Sequence, residues 1–176
     1  QISSAAGVIV LTGTGGSGNY CHGVHLAIGQ VVNTAGNITI TGIGGGSGAA
    51  NDGIHLDAVG RILSLGIGNI TCSGSGNNYD LCVNAAGVIG SSQMQGAIVL
   101  NCDQLFLRGA IMTANDLTIQ PVSIDTSIGL AGGSGTLNLP AAALGCLVNG
   151  FQSITFGRVD GLGAVEAGSY DVSCLC

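Results

Sequence analysis

The sequence predicts an all-β fold, a parallel β-helix of roughly six coils with three short strands in each coil. Segments of similar pattern begin at Gly7, Gly36 and Gly68, which are 29 and 32 residues apart. Glycine accounts for 33 of the 176 residues without the phasing of collagen, which indicates many tight turns between short strands. Because 46% of the residues are apolar and only 7% are charged, the chain can build a continuous core.

Each repeat contains three strand-like segments. The first is followed by a glycine-rich loop, and the second lies at 23–26, 53–56 and, more loosely, 80–83. A third short apolar run follows a glycine in each repeat. Coils of this kind stack through parallel strands about 4.8 Å apart.

Alternation along each strand predicts which side chains face the core. In the first strand two inward ladders are predicted: Ile9, Ile38 and Ile70, and then Leu11, Ile40 and Cys72. In the second strand the same rule predicts an outward ladder: His25, His55 and Cys82. Each fully buried aliphatic side chain contributes about 1.5 to 3 kcal/mol, so the inward ladders would keep a weakly charged chain folded.

The repeats become less regular along the chain. We expect a single β-helix domain over residues 1–176, with regular repeats of roughly 30 residues in 1–95 and less regular coils in 96–176. In the second part, alternation predicts that Phe151 and Phe156 lie on opposite faces of a strand.

Charge and hydropathy argue against two classes of partner. The formal net charge is −6, and the only cations are Arg61, Arg108 and Arg158. A nucleic-acid partner is not expected, because phosphate neutralisation needs a basic face. No apolar run approaches the roughly 18 residues of a membrane span, so we expect a soluble chain whose export signal lies outside it.

The seven cysteines are an odd number, and none forms a C-x-x-C pair, which argues against a zinc ribbon or a thioredoxin-like motif. In a secreted protein at least one thiol would stay free or pair with another molecule. We expect Cys72 to be a buried, reduced, apolar residue. We expect the terminal pair to be reachable, which makes Cys174 and Cys176 candidates for an intermolecular disulfide.

Five longer runs resemble the repeats of one family: 96–107, 116–121, 126–130, 132–139 and 150–161. Together with the Gly-Asn-Ile-Thr-Ile-Thr-Gly units and the Gly-Gly-Ser-Gly loops, they are similar to repeats of large filamentous-haemagglutinin-like exoproteins. The similarity covers nearly the whole chain, and its most specific motif includes Arg158 and Asp160. The cysteines and the ending at 169–176 depart from the family's pattern.

The resemblance implies a right-handed parallel β-helix that is secreted and lies at the cell surface or in the medium. It also implies a structural or adhesive role, with a glycan or a host or matrix surface as partner. We therefore expect no enzyme activity and no cofactor. Because neither end carries a charged or helical cap, we expect the stack to continue, through more of the same polypeptide or through head-to-tail self-association into a filament.

The main alternative is a β-helix carbohydrate-active enzyme, a lyase or hydrolase, which would use grouped carboxylates for acid and base steps. Asp52, Asp57 and Asp80 lie at equivalent loop and strand-end positions, but we interpret them as solvated turn residues.

The G-x-G-x-x-G match at 13–18 lacks the helix of a dinucleotide site. The glycine-rich loops lack the aspartate of a calcium-binding solenoid, and an ice-binding threonine face would span only about three coils.

The outward ladder of His25, His55 and Cys82 is a candidate metal site. Imidazole and thiolate groups on successive coils would lie about one ladder step apart, close enough to share zinc or copper. We expect Cys21 and His22 to lie near this ladder, because they belong to the preceding loop. Stacked side chains without a metal are the favoured interpretation.

Overall fold

The structure is a computed structural model that describes residues 1–171, so Cys174 and Cys176 lie outside the described residues. Within residues 1–171 the chain forms short strands and one helical turn. In chain order these are β1 (Ile2–Ser4), β2 (Ile9–Thr14), β3 (Val24–Leu26), β4 (Gln30–Asn33), β5 (Ile38–Ile43), β6 (Ile54–Leu56), β7 (Arg61–Ser64), β8 (Ile70–Ser75), β9 (Leu81–Val83), β10 (Val88–Gly90), β11 (Ile98–Asn101), β12 (Leu105–Leu107), β13 (Ala110–Met112), β14 (Asp116–Gln120), β15 (Ile128–Leu130), β16 (Leu137–Leu139), α1 (Ala141–Leu144), β17 (Ser153–Phe156) and β18 (Val165–Ala167).

Three parallel sheets are formed by strands from successive coils. Sheet A has the order β1-β4-β7-β10-β13, sheet B the order β2-β5-β8-β11-β14-β17, and sheet C the order β3-β6-β9-β12. Among the strands of these three sheets, neighbours in the chain belong to different sheets, and each strand pairs in parallel with its equivalent one coil away. This arrangement is a parallel β-helix, so the predicted fold class is confirmed.

The inward ladders of sheet B follow the predicted register. Ile9 pairs with Ile38 and Ile38 with Ile70, while Ile40 pairs with Leu11 on one side and Cys72 on the other. All of these side chains are buried except Leu11, which is partly buried against the core. Alternation predicted this register correctly because each strand of sheet B has one face on the core.

The coils differ in length along the chain. Facing residues in sheet B are 29, 32 and 28 residues apart from Ile9 through Ile38 and Ile70 to Ile98. The next coil takes 19 residues to Leu117, and the last takes 37 residues to Ile154. The long coil includes β15, β16 and α1, and β15 pairs with β16 and β18 in a fourth, three-stranded parallel sheet.

Sheets B and C meet at a tight corner that requires glycine. A Cβ atom on Gly42, near the end of β5, would lie 2.1 Å from the carbonyl oxygen of Gly53. The equivalent atom on Gly74 would lie 1.9 Å from the carbonyl oxygen of Asp80. Because the two backbones touch, the residues just before each strand of sheet C are held in fixed positions.

Buried polar side chains satisfy backbone carbonyls in the turns between sheets A and B. Asn33 donates to the Gly7 carbonyl at 2.6 Å, and Ser64 donates to the Gly68 carbonyl at 2.8 Å. Thr113 does the same further along the stack. Among residues 1–171 no buried side-chain nitrogen or oxygen lacks a hydrogen-bond partner, as expected for a well-packed interior.

The motif of Arg158 and Asp160 joins turns of two neighbouring coils. The guanidinium donates to both carboxylate oxygens of Asp160 at 2.9 Å, and it also donates to the Val122 carbonyl oxygen. Since residue 122 follows β14 and residue 158 follows β17, these contacts link corresponding turns of neighbouring coils.

The predicted placement of Phe151 is wrong. Phe151 is buried, and Phe156 packs against the same core. Alternation does not extend to residue 151, because β17 begins only at Ser153.

In the described part of the chain, residues 1–171, no helical segment has the length and hydropathy that a membrane span requires.

Candidate metal centre

The outward ladder of His25, His55 and Cys82 lies on the outer face of sheet C. His25 pairs with His55, His55 with Cys82, and Cys82 with Phe106, so the predicted register is confirmed. His25 is exposed and His55 is partly buried, but Cys82 is only 4% exposed, contrary to the prediction of an exposed thiol. The small cysteine side chain lies between two larger ring neighbours in the ladder, which explains its burial.

His22 joins this ladder from the preceding loop. Its ring centroid lies 4.3 Å from that of His55 and 5.0 Å from that of His25, and the rings of His25 and His55 are 5.1 Å apart. The expectation that His22 lies nearby is thus confirmed. The Cys21 thiol donates instead to the carbonyl oxygen of Asn19 and belongs to no candidate ligand group in residues 1–171.

Asp52 is buried beside the rings of His22 and His55. Its Oδ2 accepts a hydrogen bond from His55 Nδ1 at 2.5 Å, and its Oδ1 accepts from Asn78 Nδ2 at 2.8 Å and the Tyr79 N–H at 3.0 Å. Burial acts to raise the pKa of Asp52, but the hydrogen bonds outweigh it and lower the pKa. The interpretation of Asp52 as a solvated turn residue is wrong, because the next coil covers its side chain and supplies two of its donors.

The pKa values of the two neighbouring imidazoles, His55 and His22, shift in opposite directions. The hydrogen bond to Asp52, followed by contact with Cys82, raises the pKa of His55 to about 10 although burial opposes it. Burial and the adjacent His55 lower the pKa of His22. His22 Nδ1 accepts a hydrogen bond from the Asp52 backbone N–H at 3.2 Å, which requires an unprotonated nitrogen. The Nδ1 atoms of both rings are therefore occupied.

Asp57 lies on the solvent side of the same rings. One carboxylate oxygen lies 3.0 Å from His25 Nε2, and the other lies 3.4 Å from His55 Nε2. The hydrogen bond from His25 lowers the pKa of Asp57. Asn84, the residue after the neighbouring strand β9, places its Nδ2 atom 3.1 Å from His55 Nε2 and 3.2 Å from the Asp57 carboxylate.

Two groups of potential ligand atoms result within residues 1–171, each with its atoms within 4.8 Å of one another. One consists of His22, Asp52 and His55, and the other of His25, His55 and Asp57. Cys82 belongs to neither group. Two imidazoles and a carboxylate are ligands that zinc accepts, so the second group replaces the predicted thiolate with Asp57.

Two further carboxylates, Asp80 and Asp103, bind backbone and hydroxyl groups. Asp80 is buried and accepts from three backbone N–H groups, so its interpretation as a solvated residue is also wrong. Asp103 accepts hydrogen bonds from Ser123 and Thr126. Each of these carboxylates joins segments of neighbouring coils.

Comparison of the chain with protein-family models, with curated proteins and with solved structures finds no match. The resemblance to filamentous-haemagglutinin-like repeats therefore stays a prediction.

Proposed function

We propose that this chain is a segment of a structural rod, an adhesive β-solenoid of a secreted surface exoprotein. The observation that carries the proposal is the pairing of sheet B, which continues through six strands from β2 to β17 despite coils of unequal length. A stack in which each coil contacts its neighbours along one axis can be extended without changing the fold. Its partners would be further coils along the axis and a glycan or a host or matrix surface along the sides.

The first coil supports this proposal because its core is incompletely covered. Leu11, Val24 and Leu26 are partly buried, whereas their partners one coil along have no exposed surface: Ile40, Ile54 and Leu56. The inner residues are less exposed because their coil is covered by a neighbouring coil on both sides. Among the described residues, β2 and β3 pair on one edge only. An open parallel edge above apolar side chains is a surface on which another coil can stack. That coil would come from the same polypeptide or from a second copy that binds head to tail.

Electron microscopy of the purified intact chain tests the proposal. Six coils at about 4.8 Å per coil give a rod of roughly 29 Å, so stacked copies would appear as much longer filaments. Leu11→Lys places a charge on the face that a further copy would cover, and we expect it to abolish the filaments. Val10→Lys is the matched control, because Val10 lies in the same strand but points outward and is 63% exposed.

Filaments that persist in Leu11→Lys, or dispersed particles for the unmodified chain at all concentrations, would contradict assembly through this end. Thermal unfolding of both variants shows whether each of them remains folded. Adhesion is tested separately, by binding of the unmodified chain to immobilised glycans and matrix proteins; binding to none of them would leave no support for the adhesive part of the proposal.

A further inference from the structure

We propose that His25 Nε2, His55 Nε2 and the Asp57 carboxylate bind a divalent transition-metal ion, with Zn²⁺ the best fit. The site is independent of the proposed role as a rod. It lies on the outer face of sheet C, where β3 and β6 supply the two histidines and the residue after β6 supplies the carboxylate.

The distances suit a small ion. Two ligands that each bind tetrahedral zinc at about 2.0 to 2.2 Å are themselves about 3.4 Å apart. The carboxylate oxygens of Asp57 lie 3.0 Å from His25 Nε2 and 3.4 Å from His55 Nε2. All three ligand atoms lie within 4.8 Å of one another, so the ion could bind after small side-chain rotations.

Asp52 is the positioning residue. It accepts the hydrogen bond from His55 Nδ1 and thereby leaves Nε2 of the same ring directed toward His25 and Asp57. Asn78 and the Tyr79 backbone, both from the next coil, hold Asp52 in turn. A carboxylate behind a histidine ligand fixes the orientation of the ring and increases its basicity toward the metal.

The candidate site is open to solvent. The Asn84 amide nitrogen lies 3.1 Å from His55 Nε2 and 3.2 Å from the Asp57 carboxylate, which are the atoms that a metal ion would contact. The side chains of His25 and Asp57 are 41% and 45% exposed, so an ion can enter from solvent and keep a water ligand. An open coordination position of this kind is typical of zinc sites that bind water or an exogenous ligand.

The second ligand group is less suitable because its donor atoms are occupied. His22 Nδ1 accepts from a backbone N–H, and His55 Nδ1 donates to Asp52. The Asp52 carboxylate already accepts three hydrogen bonds. Metal binding there would break several buried contacts, whereas binding at His25, His55 and Asp57 breaks contacts at the surface.

Isothermal titration of the intact, chelator-treated chain with zinc chloride tests the site. We expect one Zn²⁺ per chain, with affinity at least about tenfold lower in His25→Gln and Asp57→Asn, and about tenfold or more lower in the positioning variant Asp52→Asn. Calcium chloride should give no comparable binding, because two imidazoles suit a transition metal. His22→Gln is the control within the cluster, and unfolding curves show whether each variant remains folded.

Cobalt substitution identifies the ligands independently of affinity. Co²⁺ bound by two imidazoles and a carboxylate gives visible absorption without a thiolate charge-transfer band in the near ultraviolet. Such a band would show that a cysteine thiolate binds the ion and would overturn the proposal. The absence of stoichiometric zinc binding would also overturn it, as would full affinity in Asp57→Asn or an equal loss in His22→Gln.

Discussion

Individual carboxylate side chains link one coil to the next in this β-helix. Asp80 is 7% exposed, and its Oδ2 accepts from the backbone N–H groups of Asp103 and Gln104 at 2.5 and 3.0 Å. Its Oδ1 accepts from the Gly76 N–H at 2.9 Å. These three hydrogen bonds fix the turn that leads into β12.

Asp80→Asn should therefore destabilise the protein. The amide replaces one acceptor oxygen with a donor that faces backbone N–H groups, so we expect the free energy of unfolding to fall by roughly 2 to 3 kcal/mol. Denaturant unfolding followed by circular dichroism measures this change. Asp125→Asn removes the same charge at an exposed position and should change stability by less than about 0.5 kcal/mol. Equal losses in the two variants would assign the effect to net charge.

Buried thiols give a second prediction for single residues. Burial raises the pKa of Cys72 to about 12 and also raises the pKa of Cys102. Because the thiolate is the reactive form, and only about one Cys72 side chain in ten thousand would be ionised at pH 8, iodoacetamide should spare both residues. The partly buried Cys21 should be modified first among these three. Mass spectrometry measures how fast each cysteine of the native protein is modified. Modification of Cys72 as fast as Cys21 would contradict the structure.

The placement of Cys72 was predictable because it repeats a local pattern, whereas the surroundings of Asp52 were not. Ile40 and Cys72 occupy the same position in successive repeats. Asp52 takes its hydrogen bonds from Asn78 and Tyr79, 26 and 27 residues further along the chain. A turn aspartate with distant partners has the same sequence pattern as a solvated one, so alternation alone could not find it.

The corner between sheets B and C determines where each strand of sheet C begins. The end of each strand of sheet B contacts the backbone just before the following strand of sheet C. Where Gly42 meets Gly53, no side chain fits between the two backbones. The same corner places Asp52 directly before Gly53, beside the rings of His22 and His55. The geometry of the candidate metal site thus depends on a contact between two glycine-containing segments.

Gly42→Ala should strongly destabilise the protein. Its Cβ atom would lie 2.1 Å from a backbone oxygen, and since backbone cannot rotate away, we expect a loss of about 3 kcal/mol or more in the free energy of unfolding. Gly16→Ala is the matched control, because a Cβ atom there has no neighbour within 4 Å. Thermal and denaturant unfolding of the two variants should differ clearly, and similar stability would argue against a tight corner.

Strands in the first three coils were predictable because each has equivalents at similar spacing. In the later coils the pairing of the strands was not predictable, since a 19-residue coil precedes one of 37 residues and no repeat identifies which residues pair. The Phe151 prediction failed for the same reason: the strand boundary at Ser153 depends on pairing with β14, which a single sequence pattern does not reveal.

Over the whole molecule, stability should decrease from the inner coils toward the first one. In a solenoid each coil contacts only its neighbours, so a coil with one neighbour loses half of its stacking contacts. The partial exposure of Leu11, Val24 and Leu26 reflects this difference. A further coil stacked on this end would restore the missing contacts and would also pair the free edge of β2.

Hydrogen exchange at individual amides can detect that pairing directly. The Ile9 N–H donates to the Asn37 carbonyl in the second coil, and because successive amides along a strand point to opposite edges, those of Val10 and Thr12 face away from that coil. In a dispersed chain we expect the Val10 and Thr12 amides to exchange much faster than that of Ile9. If copies stack head to tail, raising the protein concentration should slow exchange at Val10 and Thr12 by at least about tenfold and leave Ile9 little changed. Leu11→Lys should remove this concentration dependence and Val10→Lys should not, whereas uniform slowing along β2 would indicate general stabilisation without edge pairing.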